Sequence, residues 1–297
     1  GMKGFLSLGY LEAYYRNEIK NFKNIKYFCG VSIGALISLF LIIGFKPREI
    51  ANKLLKENIL KNINYQNFYN FLGKKGLCST KKLKELIKNE IMKKYGTNLT
   101  LLGLYKITKK NLITVSYNIS KQKGEFFDIN THPNVKCVDA VIASMSVPFL
   151  FENFYINNNI YIDGAFFNSY PIDYFNDLEH DITIISMYEN VNNNLKENDL
   201  FILDFINRLL NTLTNHHKKI INENIHYVDL YTNLNTIIGL PISNIEKGLL
   251  FGDGFNQYFE KNNENIELMK FKYPINDDKK SIKKIKNNII YPDTHST

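Results

Sequence analysis

"YFCGVSIGALISLFLIIGF", residues 27–45, is the stretch that decides the fold class of this chain, and two interpretations fit it. In the first, it is a transmembrane helix, because it is apolar or small almost throughout and the spacing of Gly30 and Gly34 matches that of helices that pair in membranes. In the second, a short buried strand over residues 25–29 leads through a sharp turn into an apolar helix over residues 33–45.

Ser32 favours the second interpretation, because a polar residue lies between the two glycines and no helix-start signal precedes them. Where a serine nucleophile is presented on a tight strand-to-helix turn, its backbone is strained and the residues two positions away on either side must be small. Gly30 and Gly34 meet that need, and the N-terminus of the following helix places positive potential beneath a developing anion. We therefore predict a nucleophile turn with Ser32 as the attacking group.

The serine hydroxyl must lose its proton to a base, and the sequence offers two kinds. A Ser-His-Asp arrangement would use a histidine, with His216, His217 and His226 as the candidates. The other candidate is Asp163 in "IYIDGAFFNSYPI", residues 160–172, although Asp-Gly between apolar runs is also typical of a hairpin turn. A carboxylate acts as the base when it is partly desolvated and in direct contact with the hydroxyl, and a strand end that faces a cleft supplies that setting.

Strands and helices alternate on either side of the nucleophile turn. Beyond residues 25–29, strands are predicted at residues 112–119, 124–129, 154–156, 160–163, 182–187 and 225–232, and helices at residues 5–16, 33–45, 47–60, 79–95, 136–147, 199–222 and 243–260. This alternation is typical of an α/β fold, with a mostly parallel sheet and helices on both faces. We expect a single domain over residues 1–271, followed by a basic, poorly ordered tail over residues 272–297.

The charge of the chain narrows the class of binding partner. The chain of 297 residues has a formal net charge of +8 and a sequence pI near 9.1, which favours anionic partners. Its lysine clusters are not interleaved with aromatic residues, as a groove for single-stranded nucleic acid requires, so we expect attraction to an anionic membrane surface and no nucleic-acid partner.

The three cysteines, Cys29, Cys78 and Cys137, are far apart and odd in number, which argues against disulfides and zinc and favours the reducing cytoplasm.

Several segments, taken in order, resemble the patatin-like phospholipase family, which consists of serine acyl hydrolases with a Ser-Asp dyad. "GMKG", residues 1–4, is similar to the end of the family's glycine-rich loop, G-G-G-x-[K/R]-G. "GVSIGA", residues 30–35, is similar to its nucleophile turn, and "DGAFFNSYP", residues 163–171, to its D-G-[GA] motif followed by an asparagine and a proline. "AVIASMSVPFLF", residues 140–151, looks like the helix and proline that precede the dyad aspartate. The similarity extends from the first residue to about residue 260.

The resemblance implies a three-layer α/β sandwich in which Ser32 attacks fatty-acyl ester bonds of phospholipids or other lipids. Asp163 accepts the serine proton, and the reaction passes through an acyl-enzyme without a metal or an organic cofactor. The supporting residues that the resemblance implies are the backbone of the oxyanion loop, the glycines of the nucleophile turn and the two residues after the aspartate: Gly1, Met2, Lys3, Gly4, Gly30, Gly34, Gly164 and Ala165. The resemblance further implies a protein that acts peripherally at a membrane surface.

The sequence departs from the family pattern at its first residue. The first two glycines of the loop, and the strand that leads into it, do not precede Gly1, so we expect a truncated first strand and an incomplete oxyanion loop. Each missing donor would cost about 2.7–4 kcal/mol of transition-state stabilisation. A second hypothesis is therefore a catalytically impaired member of the same family that binds lipid or membrane. A third is a histidine-dependent serine esterase.

Overall fold

The computed structural model of the chain describes residues 2–56, 76–175, 181–189, 223–234 and 242–262, and helices and strands alternate along these ranges. The helices are α1 (Gly4–Asn17), α2 (Ile19–Asn24), α3 (Ile33–Ile42), α4 (Pro47–Lys56), α5 (Lys81–Tyr95), α6 (Leu101–Thr108), α7 (Cys137–Met145) and α8 (Asn244–Lys261). The strands are β1 (Tyr27–Val31), β2 (Gly76–Cys78), β3 (Asn111–Asn118), β4 (Lys123–Phe127), β5 (Phe149–Phe151), β6 (Phe154–Ile156), β7 (Asn159–Asp163), β8 (Ile182–Glu189) and β9 (Ile225–Thr232).

The largest sheet in these ranges has five strands, in the order β1-β3-β7-β6, with β4 also paired to β3. β1 is parallel to β3, whereas β4 and β7 are antiparallel to β3 and β6 is antiparallel to β7. Two smaller pairs, β2–β5 and β8–β9, are parallel. The α/β class is therefore confirmed, but the largest sheet is mixed rather than mostly parallel. The reason is local: β3–β4 and β6–β7 are hairpins, and only antiparallel strands can be joined by such short turns.

The register of this sheet brings the ends of β1 and β7 together. β4 pairs with one edge of β3, along residues that also pair with β1 or with β7. Because a strand has two edges, β1 and β7 must both pair with the other edge of β3. Val31, at the end of β1, is opposite Val115, and Asp163, at the end of β7, is opposite Ser116. Because β1 is parallel to β3 and β7 is antiparallel, the carboxyl ends of β1 and β7 meet at one point along β3. Ser32, the residue after β1, therefore lies at the end of β7.

α3 occupies the centre of the core. It packs on the sheet beside α7, and its side chains from Ala35 to Ile42 are all buried. A helix that is apolar on every side is typical of such a position. α3 has 10 residues, whereas a bilayer requires about 20, and none of the helices in the described ranges combines the length and the apolar character of a membrane span. The apolar run after Ser32 is explained by burial in the core.

The last described helix, α8, packs along α1, and two glycines bring the two backbones together. A Cβ atom at Gly9 would lie 1.9 Å from the carbonyl oxygen of Phe251. A Cβ atom at Gly254 would lie 1.8 Å from the carbonyl oxygen of Leu6. Neither position can hold a side chain unless the helices separate. The C-terminal part of the described chain is thereby fixed to the helix that begins at the predicted oxyanion loop.

Some predictions lie outside the described residues. They are the helix at residues 199–222, the tail from residue 272 with the domain boundary that precedes it, and the last part of the helix predicted at residues 47–60. Gly1, the first residue of the predicted oxyanion loop, also lies outside them. These predictions remain predictions.

Candidate active site

Ser32 lies on the turn between β1 and α3, and its backbone is strained. Its φ of 55° and ψ of −124° are values that residues other than glycine rarely adopt. The turn presses Gly30 against the start of α3, where a Cβ atom at Gly30 would lie 2.3 Å from the carbonyl carbon of Gly34. Strain of this kind persists only where the surrounding structure holds it in place. The geometry is the one that the sequence predicts for a nucleophile turn.

The two glycines of the turn differ in their surroundings. Gly30 must lack a side chain, because its α-carbon touches the backbone of α3. At Gly34, by contrast, a Cβ atom would meet no heavy atom within 4 Å. The steric requirement predicted from the sequence therefore holds for Gly30 and is wrong for Gly34. What glycine provides at Gly34 is open space on the first turn of α3.

Asp163 is the last residue of β7 and is 2% exposed. The hydroxyl of Ser32 lies beside its carboxylate and lowers the pKa of that carboxyl group. A hydrogen bond reaches its Oδ1 from the backbone N–H of Ala165, at 2.9 Å. The turn that carries this N–H lies close to β3, since a Cβ atom at Gly164 would be 2.0 Å from the carbonyl oxygen of Val115. The Gly164–Ala165 pair thus lies against β3 and contacts the aspartate through the N–H of Ala165.

Burial controls the acidity of Asp163. Removal from water raises the pKa of its carboxyl group, while the nearby Ser32 hydroxyl and the hydrogen bond from the Ala165 N–H lower it and offset part of that rise. The net direction is upward. A carboxylate with a raised pKa is a stronger base toward a hydroxyl than an ordinary aspartate is, because its affinity for a proton is higher.

The end of α7 contacts both residues, which the sequence analysis did not predict. The backbone N–H of Ser32 donates to Oγ of Ser144 at 3.0 Å. The backbone N–H of Asp163 donates to the carbonyl oxygen of Ser146 at 2.9 Å. The signal for these contacts is in the stretch at residues 140–151, where two serines interrupt an otherwise apolar helix end. Sequence alone does not indicate what those hydroxyls face.

The residues of the predicted oxyanion loop that the structure describes lie next to the nucleophile turn. Met2 and Lys3 precede α1, and Gly4 is its first residue. A Cβ atom at Gly4 would lie 2.5 Å from Cγ1 of Ile33, the residue after Ser32. The first turn of α1 is thus packed against the first turn of α3, and glycine at position 4 permits that approach.

The histidines in the described ranges are placed elsewhere. Nδ1 of His132 lies 3.1 Å from the carbonyl oxygen of Phe126, and its Nε2 lies 3.6 Å from Oε2 of Glu125. His226 lies in β9, in a separate two-stranded sheet. Within the described part of the chain, neither imidazole hydrogen-bonds to Ser32. The remaining histidines lie outside the described residues: His180, His216, His217 and His295.

Cys29, three residues before Ser32, is the nearest rival nucleophile along the chain. Burial raises the pKa of its thiol to about 12, so the thiol is protonated at neutral pH and unreactive as a nucleophile. Among the residues that the structure describes, no group of three or more His, Cys, Asp or Glu side chains could hold a metal ion. The chemistry available at the turn is that of a hydroxyl beside a carboxylate.

Comparison with known proteins gives a family and several viral relatives. The profile of the family described as "Patatin-like phospholipase" matches residues 1–176, which is more than half of the chain. The "Probable lipid hydrolase 463L" of Invertebrate iridescent virus 6 is 29% identical over 266 residues, which are 85% of this chain and 83% of that protein. The "Uncharacterized protein R571" of Acanthamoeba polyphaga mimivirus is 31% identical over 198 residues, which are 65% of this chain and 64% of that protein.

A solved structure shares the fold. VipD from Legionella pneumophila superposes with a TM-score of 0.53 at 16% sequence identity, over 88% of this chain and 64% of VipD. This chain therefore spans less than two thirds of VipD and of the mimivirus protein. At this level of identity the likeness to VipD shows a common architecture.

Proposed function

Because the chain belongs to the patatin-like phospholipase family, we propose that it is a serine acyl hydrolase that cleaves fatty-acyl ester bonds of phospholipids or other lipids. Ser32 is the nucleophile and Asp163 is the base. The observation that carries the proposal is the position of Ser32, on a strained turn, at the end of β7 beside the buried carboxylate of Asp163.

The first half of the reaction forms an acyl-enzyme. Oγ of Ser32 attacks the ester carbonyl carbon while its proton passes to the carboxylate of Asp163. The carbonyl oxygen becomes an oxyanion, and the tetrahedral intermediate collapses with cleavage of the ester C–O bond. The leaving alcohol takes the proton from Asp163, so the lysolipid or alcohol departs neutral at its hydroxyl and the base is regenerated.

The oxyanion requires donors, and the turn supplies a favourable setting. Ser32 occupies the N-cap position of α3, so the positive end of that helix lies beneath the developing charge. The backbone N–H groups of Gly1 to Gly4 are the donors in our proposal, and the packing of Gly4 against Ile33 supports this assignment. Preorganised donors of this kind are worth about 2.7–4 kcal/mol each.

The second half of the reaction returns the free enzyme. A water molecule replaces the departed alcohol, transfers a proton to Asp163 and attacks the acyl carbon of the Ser32 ester. The second tetrahedral intermediate collapses, the fatty acid leaves, and Oγ of Ser32 recovers its proton from Asp163. The same carboxylate thus acts as base and as acid in each half, which requires a pKa nearer the working pH than that of an ordinary aspartate.

Two variants test the proposal directly. Ser32→Ala removes the nucleophile, and we expect it to abolish both the hydrolysis of a medium-chain p-nitrophenyl ester and covalent labelling by an alkyl fluorophosphonate. Asp163→Asn keeps the size of the side chain and removes the base, and we expect a fall in kcat of about 100-fold or more. Peptide mapping of the labelled parent protein should identify Ser32 as the modified residue.

His226→Gln serves as the matched control, because His226 is the described candidate for a histidine base. We expect the rate of this variant to be within about twofold of the parent rate, a difference well below the contribution of a general base. A Ser32→Ala protein that cleaves the ester at the parent rate would remove the proposal. Binding of lipid vesicles by a parent protein that neither hydrolyses esters nor reacts with the fluorophosphonate would instead favour a lipid-binding function.

A further inference from the structure

The C-terminal turn of α7 is attached to both residues of the proposed dyad. Ser144 accepts the N–H of Ser32 through its side chain, and Ser146, two residues later, accepts the N–H of Asp163 through its carbonyl oxygen. Ser144 is fully buried and Ser146 is 2% exposed. A segment of three residues therefore contacts the nucleophile turn and the end of β7 at the same time.

The contact of Ser144 is unusual in kind. It joins a side chain to a backbone group 112 positions away in the sequence, so it belongs neither to the helix ladder nor to the sheet. The pairing of β1 with β3 ends at Val31, so the N–H of Ser32 lies beyond the ladder. Ser32 itself has a positive φ of 55°. The N–H of a residue on a strained turn is held in place by an acceptor at a fixed position. Oγ of Ser144 is that acceptor.

The last turn of α7 is itself held in place. Oγ of Ser146 donates to the carbonyl oxygen of Ile142 at 2.7 Å, within the same helix. This hydrogen bond leaves the carbonyl oxygen of Ser146 directed to β7, where it receives the N–H of Asp163. The side chain of Ser144 and the backbone of Ser146 are thus held on the same turn of chain. Together they fix the distance between the backbones of the two dyad residues.

We propose that Ser144 is a positioning residue for the reaction, which orients the nucleophile turn so that Oγ of Ser32 is directed at Asp163. The inference rests on the proposed function and deepens it. Ser144 acts through the backbone of Ser32 and does not touch the reacting atoms. Loss of its hydroxyl frees the turn to relax its strained dihedral angles, which moves the nucleophile away from its base.

Ser144→Ala tests this role with little change in volume. A misplacement of about 1 Å costs about 100-fold in rate, so we expect kcat to fall by about 10- to 100-fold. KM for a soluble p-nitrophenyl ester should change by about twofold at most, since the ester-binding groups are untouched. The rate of labelling by an alkyl fluorophosphonate should fall by the same factor as kcat, because both report attack by Oγ of Ser32. All rates are measured well below the melting temperature of each variant.

Thr114→Val is the matched control. Thr114 is also fully buried, and its hydroxyl donates to the carbonyl oxygen of Ala140 in the same helix at 3.1 Å. Its side chain hydrogen-bonds to neither dyad residue. We expect Thr114→Val to lower the melting temperature as much as Ser144→Ala does, and to keep kcat within about twofold of the parent. Ser144→Thr, which retains the hydroxyl acceptor, should recover most of the lost kcat even where its added methyl group lowers stability.

Three outcomes overturn the inference. The first is a Ser144→Ala protein whose kcat and labelling rate equal those of the parent. The second is an equal loss of kcat in Ser144→Ala and Thr114→Val, which would assign the effect to general packing of α7. In both cases an active parent protein labelled at Ser32 leaves the proposed function standing. The third is a parent protein that neither hydrolyses the ester nor is labelled at Ser32, which removes the proposed function and this inference together.

Discussion

Asp163 is 2% exposed, and burial raises the pKa of its carboxyl group above the ordinary value for aspartate. A raised pKa means that the folded protein binds a proton at this carboxyl group more tightly than the unfolded chain does. The stabilising contribution is therefore complete at pH values below the unfolded pKa, which is about 3.9. It is lost as the pH rises through the folded pKa. At neutral pH, where this group is ionised in the unfolded chain, its burial lowers the stability of the fold, and in our proposal the same group is the base.

Asp163→Asn should consequently raise stability while it abolishes hydrolysis. Asparagine has nearly the same shape, its carbonyl oxygen can still accept the N–H of Ala165, and it carries no charge to desolvate. We expect the melting temperature at pH 7 to exceed that of the parent by about 2–4 °C, which corresponds to about 1 kcal/mol in a domain of roughly this size. Differential scanning calorimetry at a series of pH values measures the effect.

The pH dependence separates this explanation from a simple change in packing. Because the cost arises from the ionised carboxylate, the difference in melting temperature between Asp163→Asn and the parent should be small near pH 4 and should grow as the pH rises. Ser32→Ala provides the comparison, since it removes the hydroxyl beside Asp163 and leaves the buried charge in place. A stability gain that is the same at every pH would contradict the prediction.

Single residues also show which parts of the site are accessible to sequence reasoning. Ser32 was predicted because its motif follows from local sterics, whereas Asp163 was one of two kinds of candidate base and was singled out by the family resemblance. Ser144 was not predicted, because its contact depends on where a side chain points after α7 packs on the sheet. Gly34 shows the converse: a motif position whose glycine was expected to avoid a clash has open space instead. Local sterics can be inferred from sequence, whereas contacts across the fold cannot.

At the scale of elements, the long periodic segments were predicted well, and several shorter elements were missed: α2, α6, β2 and β5. β9 was predicted at its observed bounds, and α7 within two residues of them. β1 runs two residues later than predicted, because its strand pairing continues through Gly30, a residue that in sequence signals a turn. β2 and β5 were missed, since each has three residues and is paired to the other in the described part of the chain. No periodicity can be read from three residues, and β6, which is equally short, was predicted because a hairpin turn follows it.

The contact between α1 and α8 yields a prediction at this scale. A Cβ atom at Gly254 would lie 1.8 Å from the carbonyl oxygen of Leu6, so Gly254→Ala forces the two helices apart. Overpacking of this kind typically costs about 1–3 kcal/mol, and a clash with backbone belongs at the upper end of that range. We expect the midpoint of urea unfolding to fall accordingly, as followed by circular dichroism.

Gly252→Ala is the control for the same helix. A Cβ atom at Gly252 would meet no heavy atom within 4 Å, and alanine is a better helix former than glycine by about 0.5–1 kcal/mol. We therefore expect this variant to be as stable as the parent or more so. Equal effects of the two substitutions would show that the close approach of α8 to α1 does not limit stability.

For the whole molecule, the proposed function requires that the site reach a lipid surface. The net charge of +8 favours anionic membranes, where each lysine near the surface contributes about 1 kcal/mol. An exposed aromatic side chain lies close to the dyad: Phe167 is 44% exposed, and its N–H donates to the carbonyl oxygen of Gly164. Ile107 is 53% exposed and lies in the last turn of α6. β3 begins three residues after α6 ends, so Ile107 lies near the start of β3, whereas Ser116 and the dyad lie toward its other end. We therefore expect a membrane that approaches the dyad to contact Phe167 and not Ile107.

Binding to vesicles should therefore depend on Phe167. In the Ser32→Ala background, which avoids lipid hydrolysis, we expect Phe167→Ala to weaken binding to phosphatidylserine-containing vesicles about tenfold, because burial of a Phe side chain contributes about 1.5–3 kcal/mol. Ile107→Ala should bind within about twofold of the background protein, since its side chain stays in water. Binding of all three proteins should weaken in about 1 M NaCl, where the Debye length falls to about 3 Å, and should be weaker on phosphatidylcholine alone. Equal vesicle affinities for the Phe167 and Ile107 variants in a sedimentation assay would show that the membrane does not approach the dyad from the side of Phe167.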